Sequence, residues 1–269
     1  LAKFRESHPD IAVRFLDPCM LVSSLLLQLL PSLLLSETVL SLTTTRSSMT
    51  IDIEGLRAPM QATHASGVNQ DFEWRQSALQ TMRKMLTTHH GELQEALYQD
   101  LGKHPIEASC SELVLLVNEI DFMLGKLKRW MRPVHVASPG ALFPIFSKVV
   151  PKPLASPGVI VIGPFNYPIH LLLMPAIGSI TAGNPTVVKP SEQCPACSRL
   201  LTKLVGRYFD AGVLQVIEGG KEVTIALLEH SWGKVFFTGS AQVGKIVAAK
   251  CGTTLTPTIL ELGGKCPAF

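Results

Sequence analysis

From Asp71 onward, apolar residues recur at three- and four-residue spacing. Phe72, Trp74, Leu79, Met82, Met85 and Leu86 form one stripe, and that period predicts an amphipathic helix. A second helix is predicted from Glu92 to Leu101, stopped by Gly102, and a third from about Ser109 to Trp130. Ser109 or Ser111 suits the start of the third helix, and Pro133 closes it. Prolines crowd the stretch from Pro133 to Pro157, which therefore reads as an extended connector, with Lys148 to Val150 as a short strand inside it.

After Pro157 the rhythm changes. Val159 to Ile162 is an unbroken apolar run, followed by Gly163-Pro164-Phe165-Asn166-Tyr167-Pro168 and an apolar, helix-like segment to Gly183. Thr186–Val188, Leu214–Ile217, Val235–Phe237 and Thr258–Glu261 are the next predicted strands. Cys194–Phe209, Lys221–His230 and Ala241–Lys250 are the helices between them. Short β-branched runs alternating with helices predict an α/β fold with a doubly wound parallel sheet, Rossmann-like, preceded by amino-terminal helices.

Three segments follow. Residues 158–269 are read as the dinucleotide-binding α/β domain, and 49–157 as amino-terminal helices plus connector. Residues 1–48 are of a different character. Met20 to Leu35 is leucine-rich but broken by Pro31, and shorter than the roughly 20 apolar residues a spanning helix needs. A secretory leader beginning at Met20 would lack the basic residues that precede such an apolar stretch. The plain reading is an extension, or a gene-prediction artefact, ahead of a start at Met49. Leu1 at one end, and Phe269 soon after Gly263-Gly264 at the other, predict missing sequence on both sides.

Composition narrows the function without naming it. Of 269 residues, 46% are hydrophobic and 17% charged, which is globular rather than disordered. A net charge of +3 makes no case for nucleic acid, which needs a concentrated basic face. Cys19, Cys110, Cys194, Cys197, Cys251 and Cys266 are too few for a disulfide scaffold, so reduced thiols and a cytoplasmic setting are expected. The histidines are scattered, and no metal site is expected.

In doubly wound sheets, ligands sit outside the carboxyl ends of the strands, and four loops there carry candidate chemistry. Gly239-Ser240-Ala241-Gln242-Val243-Gly244-Lys245 looks like a phosphate loop, but Ile246 stands where a metal-binding Ser or Thr is required. Without that hydroxyl, two readings remain: a glycine turn before a helix, or a helix start that accepts a pyrophosphate. At Lys189-Pro190-Ser191-Glu192 the serine or glutamate can satisfy free helix amides, whereas Lys189 is a cation at the mouth of an apolar strand, suited to a ribose hydroxyl or phosphate. Asn166 is either a turn asparagine or a rigidly held amide donor for a developing oxyanion. Glu261 is either a solvated strand end or a carboxylate that burial would turn into a general base. A rival chemistry is Cys194-Pro195-Ala196-Cys197, since a C-x-x-C at a helix start favours redox-active thiols.

Taken together and in order, NYP, KPSE, FFTGSxxVGK and LELGGK resemble the succession of the aldehyde dehydrogenase superfamily, in particular its class 3 and fatty aldehyde dehydrogenase branch. The stretch Asp71-Phe72-Glu73-Trp74-Arg75 and the run Val243 to Val247 resemble that branch as well, and the likeness covers roughly residues 66–269. It implies NAD+- or NADP+-dependent oxidation of aldehydes to carboxylic acids. By the same resemblance Asn166 is the oxyanion-stabilising amide and Glu261 the glutamate that activates water for thioester hydrolysis. Lys189 and Glu192 meet the adenosine ribose; Gly239, Ser240 and Gly244 flank the pyrophosphate. The family's cysteine nucleophile would then lie beyond Phe269, leaving this stretch inactive by itself or a non-catalytic cofactor-binding fragment. Cys266 is read as a small buried residue. A homodimer is implied for the full-length protein, with membrane attachment only through segments outside this chain.

Overall fold

The computed structural model describes residues 51–138, 140 and 144–266. What the sequence predicts for residues 1–48 lies outside them. The first helix, α1 (Ile53–Ser66), was not anticipated, because Pro59 interrupts its pattern. Its start is secured by Asp52, whose Oδ1 accepts the Gly55 N–H at 2.7 Å, and its end by Gly67 in the left-handed region.

The expected helices follow as α2 (Phe72–Thr88) and α3 (His90–Leu101), with Gly102 at φ 67° ending the latter. Leu79, Met82, Met85 and Leu86 of α2 are all but fully buried, so the apolar stripe is the packing face. The third helix departs from expectation. It begins earlier, as α4 (Pro105–Ala108), widens into a π-turn over Ser109–Leu113, and continues as α5 (Val114–Trp130). Neither serine caps it. His104 accepts the Ile106 N–H instead, while Ser111 donates back to the Glu107 carbonyl at 2.7 Å. The connector contains β1 (Val134–Val136) antiparallel to β2 (Ser147–Val149). Only the second was legible in sequence, as both are short and mostly exposed.

The α/β part follows the predicted alternation. Its elements are β3 (Val159–Ile162), α6 (His170–Thr181), β4 (Thr186–Lys189), α7 (Pro195–Tyr208), β5 (Leu214–Val216), α8 (Lys221–Leu228), β6 (Lys234–Gly239), α9 (Ala241–Thr253) and β7 (Thr258–Leu262). All five strands are parallel, in the order β5-β4-β3-β6-β7. The chain winds outward from β3 to β5, then returns to lay β6 on the other side of β3. That reversal makes the carboxyl ends of β3 and β6 the topological switch point, where such sheets hold ligands.

Side chains of β3 alternate between two cores. Val159 and Val161 join the core built with α2, α3, α5, α6 and α7, while Ile160 and Ile162 join the one with α1, α8 and α9. Burial on both faces explains why the strands read as continuous apolar runs rather than alternating ones. Arg75 ties the layers together. Its guanidinium, 4% exposed, donates to the carbonyls of Asn69 and of Thr181 at the end of α6, where a helix carries partial negative charge.

Candidate active site

The candidate residues gather along one edge of the sheet. The strand register places Lys189 and Phe237 on either side of Ile162, and Glu261 opposite Thr238. Lys189 therefore ends β4, the Asn166 loop leaves β3, Ser240 follows β6, and Glu261 stands near the end of β7. Glu261 is the outlier, two strands away from β3, or roughly 10 Å at the usual strand spacing. Its side chain is exposed, which is the solvated of the two alternatives left by the sequence; β7 occupies an edge of the sheet and no described element covers the carboxylate.

Lys189 is 2% exposed. Its Nζ donates to the Pro190 carbonyl at 3.1 Å and to Glu192 Oε2 at 3.2 Å, so a buried cation is turned toward an exposed carboxylate at the mouth of the sheet. Ser191 takes the plain role, its Oγ accepting the Gln193 N–H. Beyond β6, Ser240 caps α9 by accepting the Val243 N–H. The first intrahelical bond there runs from Gly244 to the Ser240 carbonyl, leaving the Ala241 and Gln242 amides without a helical acceptor. Gly244 has a packing reason of its own: a Cβ would lie 2.7 Å from Leu262 Cδ2, so glycine lets α9 settle against β7. Thr238, to which no role was given from sequence, holds a buried Oγ1 with no partner among the described residues.

The Asn166 loop is braced from beneath. Asn166 is exposed, but its Oδ1 accepts the following Tyr167 N–H at 3.1 Å. With the amide oxygen tied to its own loop, Nδ2 is left as a donor without a partner among the described residues. Below it lies a pair that sequence reading missed. Lys103, in the turn after α3, meets Glu112 of the π-turn with Nζ–Oε1 at 2.5 Å. Lys103 Nζ also donates to the Asn166 carbonyl at 3.0 Å and sits 4.0 Å from the Tyr167 ring centroid. The other oxygen of Glu112 accepts the Ile169 and His170 amides at 2.9 and 3.0 Å, at the start of α6. One signal was available: Glu112 lies four residues before Leu116 and eight before Ile120, in phase with the buried stripe of α5.

The C-x-x-C pair is set against reactivity. Cys194 and Cys197 are fully buried free thiols. Burial, and then the charges of Asp100 and Glu112, push Cys194 up to about 11. Burial and a hydrogen bond with Asp100 push Cys197 up as well. Asp100 Oδ1 and Oδ2 accept the Ala196 and Cys197 amides, so the helix start that would have stabilised a thiolate already holds a carboxylate. Cys266, expected to be buried, is exposed. Among the described residues no cluster of His, Cys, Asp and Glu is placed to hold a metal, and no helix is long and apolar enough to cross a membrane.

A parallel sheet wound in both directions from β3, with a glycine-flanked helix start at its switch point, defines the doubly wound α/β class. The chain belongs to the aldehyde dehydrogenase family, whose family model matches residues 43–269. An aldehyde dehydrogenase of Craterostigma plantagineum is 42% identical over 81% of this chain and 45% of its own length. Aldehyde dehydrogenase family 3 member H1 of Arabidopsis thaliana is 43% identical over 75% of this chain and 41% of its own, which bears out the class 3 resemblance. Among solved structures, the substrate-bound state of Staphylococcus aureus AldH superposes with a TM-score of 0.76 at 37% identity, over 79% of this chain and 46% of that one. The chain thus spans less than half the length of the curated relatives it matches.

Proposed function

We propose that the complete protein carrying this segment oxidises aldehydes to carboxylic acids with NAD+ or NADP+, and that residues 158–269 supply its cofactor-binding domain. The observation that carries the reading is the amide of Asn166, whose oxygen is engaged by its own loop and whose nitrogen is free to donate. The residues at the sheet edge fit a dinucleotide. Lys189 and Glu192 offer a cation and a carboxylate to ribose hydroxyls, and the open amides at the start of α9 suit a pyrophosphate. A bound nicotinamide would supply the hydride acceptor that aldehyde oxidation requires.

In this reading a cysteine thiolate, carried by the part of the relatives' length that this chain does not span, adds to the aldehyde carbon. Asn166 Nδ2 then donates to the oxygen that gains the negative charge, which is worth about 3 kcal/mol in favourable sites. Glu261 later takes a proton from the water that cleaves the thioester. Residues 1–269 by themselves are accordingly not expected to turn over aldehyde. Medium or long aliphatic and aromatic aldehydes are the proposed substrates, a homodimer the proposed assembly, and the cytoplasm the proposed compartment, in keeping with unpaired thiols.

The test is steady-state kinetics of the complete protein over a broad aldehyde panel. Asn166→Ala is expected to lower kcat by about 100- to 1,000-fold, and Lys189→Met to weaken cofactor binding while leaving the acylation step intact. Glu261→Gln is expected to slow thioester hydrolysis and spare acylation. No oxidation of any aldehyde by the folded, cofactor-supplied protein would sink the reading.

A further inference from the structure

A buried ion pair needs a reason other than stability, because an apolar pair of similar volume often serves a core as well or better. Lys103 is 9% exposed and Glu112 0%, so both charges are withdrawn from water. What the pair touches supplies the reason. Each end terminates on the backbone of the segment that presents Asn166. Lys103 reaches the Asn166 carbonyl and the face of the Tyr167 ring. Glu112 holds the Ile169 and His170 amides with its second oxygen.

A third donor, the Cys194 thiol, bonds the Phe165 carbonyl at 3.2 Å. Successive carbonyls of residues 165 and 166 are therefore gripped from the protein side, while the Asn166 side chain is exposed. Because its Oδ1 is tied to the next backbone amide, the side chain turns with the backbone. A shift of the Asn166 peptide passes directly to Nδ2. Lysine suits this place chemically. Its ammonium has several donors, enough to meet a carboxylate and a carbonyl together while lying against an aromatic face.

We propose that Lys103 and Glu112 are positioning residues, a buried brace that sets where the Asn166 amide meets the oxygen of the reacting aldehyde. The proposal rests on the reading of Asn166 as the oxyanion donor. Neither residue touches substrate; they act through the loop. A misplacement of about 1 Å at such a group costs on the order of 100-fold in rate. The loss falls on kcat, because ground-state binding of aldehyde and cofactor does not use the donor fully.

The experiment is a double-mutant cycle in the complete enzyme, with rates counted per cofactor-binding site so that unfolded protein does not pass for slow protein. Lys103→Met is expected to lower kcat about 100-fold while the KM for cofactor holds. Combined with Asn166→Ala it is expected to be no slower than Asn166→Ala alone, because the brace has nothing left to position. An unchanged kcat in Lys103→Met overturns the proposal. So does a double variant in which the two losses multiply, which would mean that Lys103 acts elsewhere. If Asn166→Ala itself leaves kcat intact, the oxyanion reading has failed, and the brace falls with it by a separate route. Should Lys103→Met yield no folded protein, Glu112→Gln takes its place in the same cycle. It keeps the shape and the acceptor for the two α6 amides, and the same two patterns decide.

Discussion

Replacing Asp100 by alanine tests how one carboxylate governs both a helix joint and a thiol pair. Asp100 sits at the end of α3, and its two oxygens accept the Ala196 and Cys197 amides at 3.0 and 2.8 Å. Loss of a side-chain cap from a helix start costs about 0.5–2 kcal/mol. Here the lost acceptor is charged and takes two amides, while water can reach the exposed Pro195 end of α7. The upper end of that range, about 2 kcal/mol, is the expected loss. For a chain of this size that lowers the thermal midpoint by about 4–8 °C. The same substitution removes the hydrogen bond and negative charge that help hold the Cys197 thiol protonated, and leaves the positive end of α7 facing it. Asp100→Ala is therefore expected to unfold earlier and to make Cys197 alkylate faster. The assays are a thermal melt and timed iodoacetamide labelling read by peptide mass. An unchanged midpoint would refute the capping argument. A lower midpoint with Cys197 still unlabelled under native conditions would show that burial alone silences the thiol.

Further predictions follow from burial and backbone geometry. Gly158 holds φ +143°, and a Cβ there would stand 2.1 Å from the Pro185 carbonyl oxygen, an atom that also accepts the Val159 N–H entering the sheet. Strain of about 1–3 kcal/mol added to that overlap makes Gly158→Ala strongly destabilising, and a melt within experimental scatter of the native protein would contradict it. In the native protein, alkylation at neutral pH is expected at the exposed Cys110 and Cys266 and not at the buried Cys194, Cys197 or Cys251; rapid labelling of Cys194 would overturn the assignment of burial. The Cys194 thiol is raised from 9.0 to about 11. Its protonated form therefore contributes stability that is complete below pH 9.0 and lost as pH rises through about 11, because the unfolded chain releases that proton first. Urea midpoints are expected to fall across this window, and Cys194→Ala to flatten the slope; an identical slope in the variant would assign the effect to other groups.

The sequence by itself determined the order and kind of most elements, because helix and strand periods are local properties of the chain. The apolar runs at Val159 and Thr186, the stop at Gly102 and the helix start after Ser240 were all legible in this way. So was the succession of loop motifs from Asn166 to Glu261, hence the family. Helix α1 escaped because Pro59 broke its pattern, and β1 because three exposed residues carry no alternation to read. Tertiary structure alone decided the chemistry around those motifs. The Lys103 contact to Asn166 spans 63 positions and the Glu112 contact to Ile169 spans 57, so no window along the chain reveals the brace. The C-x-x-C pair leaves a redox reading open beside an incidental one, and it is Asp100, almost a hundred positions earlier, that occupies the helix start. Glu261 leaves a solvated strand end and a buried carboxylate both open until the sheet order places it, exposed, on an edge strand. Periodicity reports which way a side chain faces within its own element. Its charge state and its reach depend on atoms that only folding brings within a few ångströms.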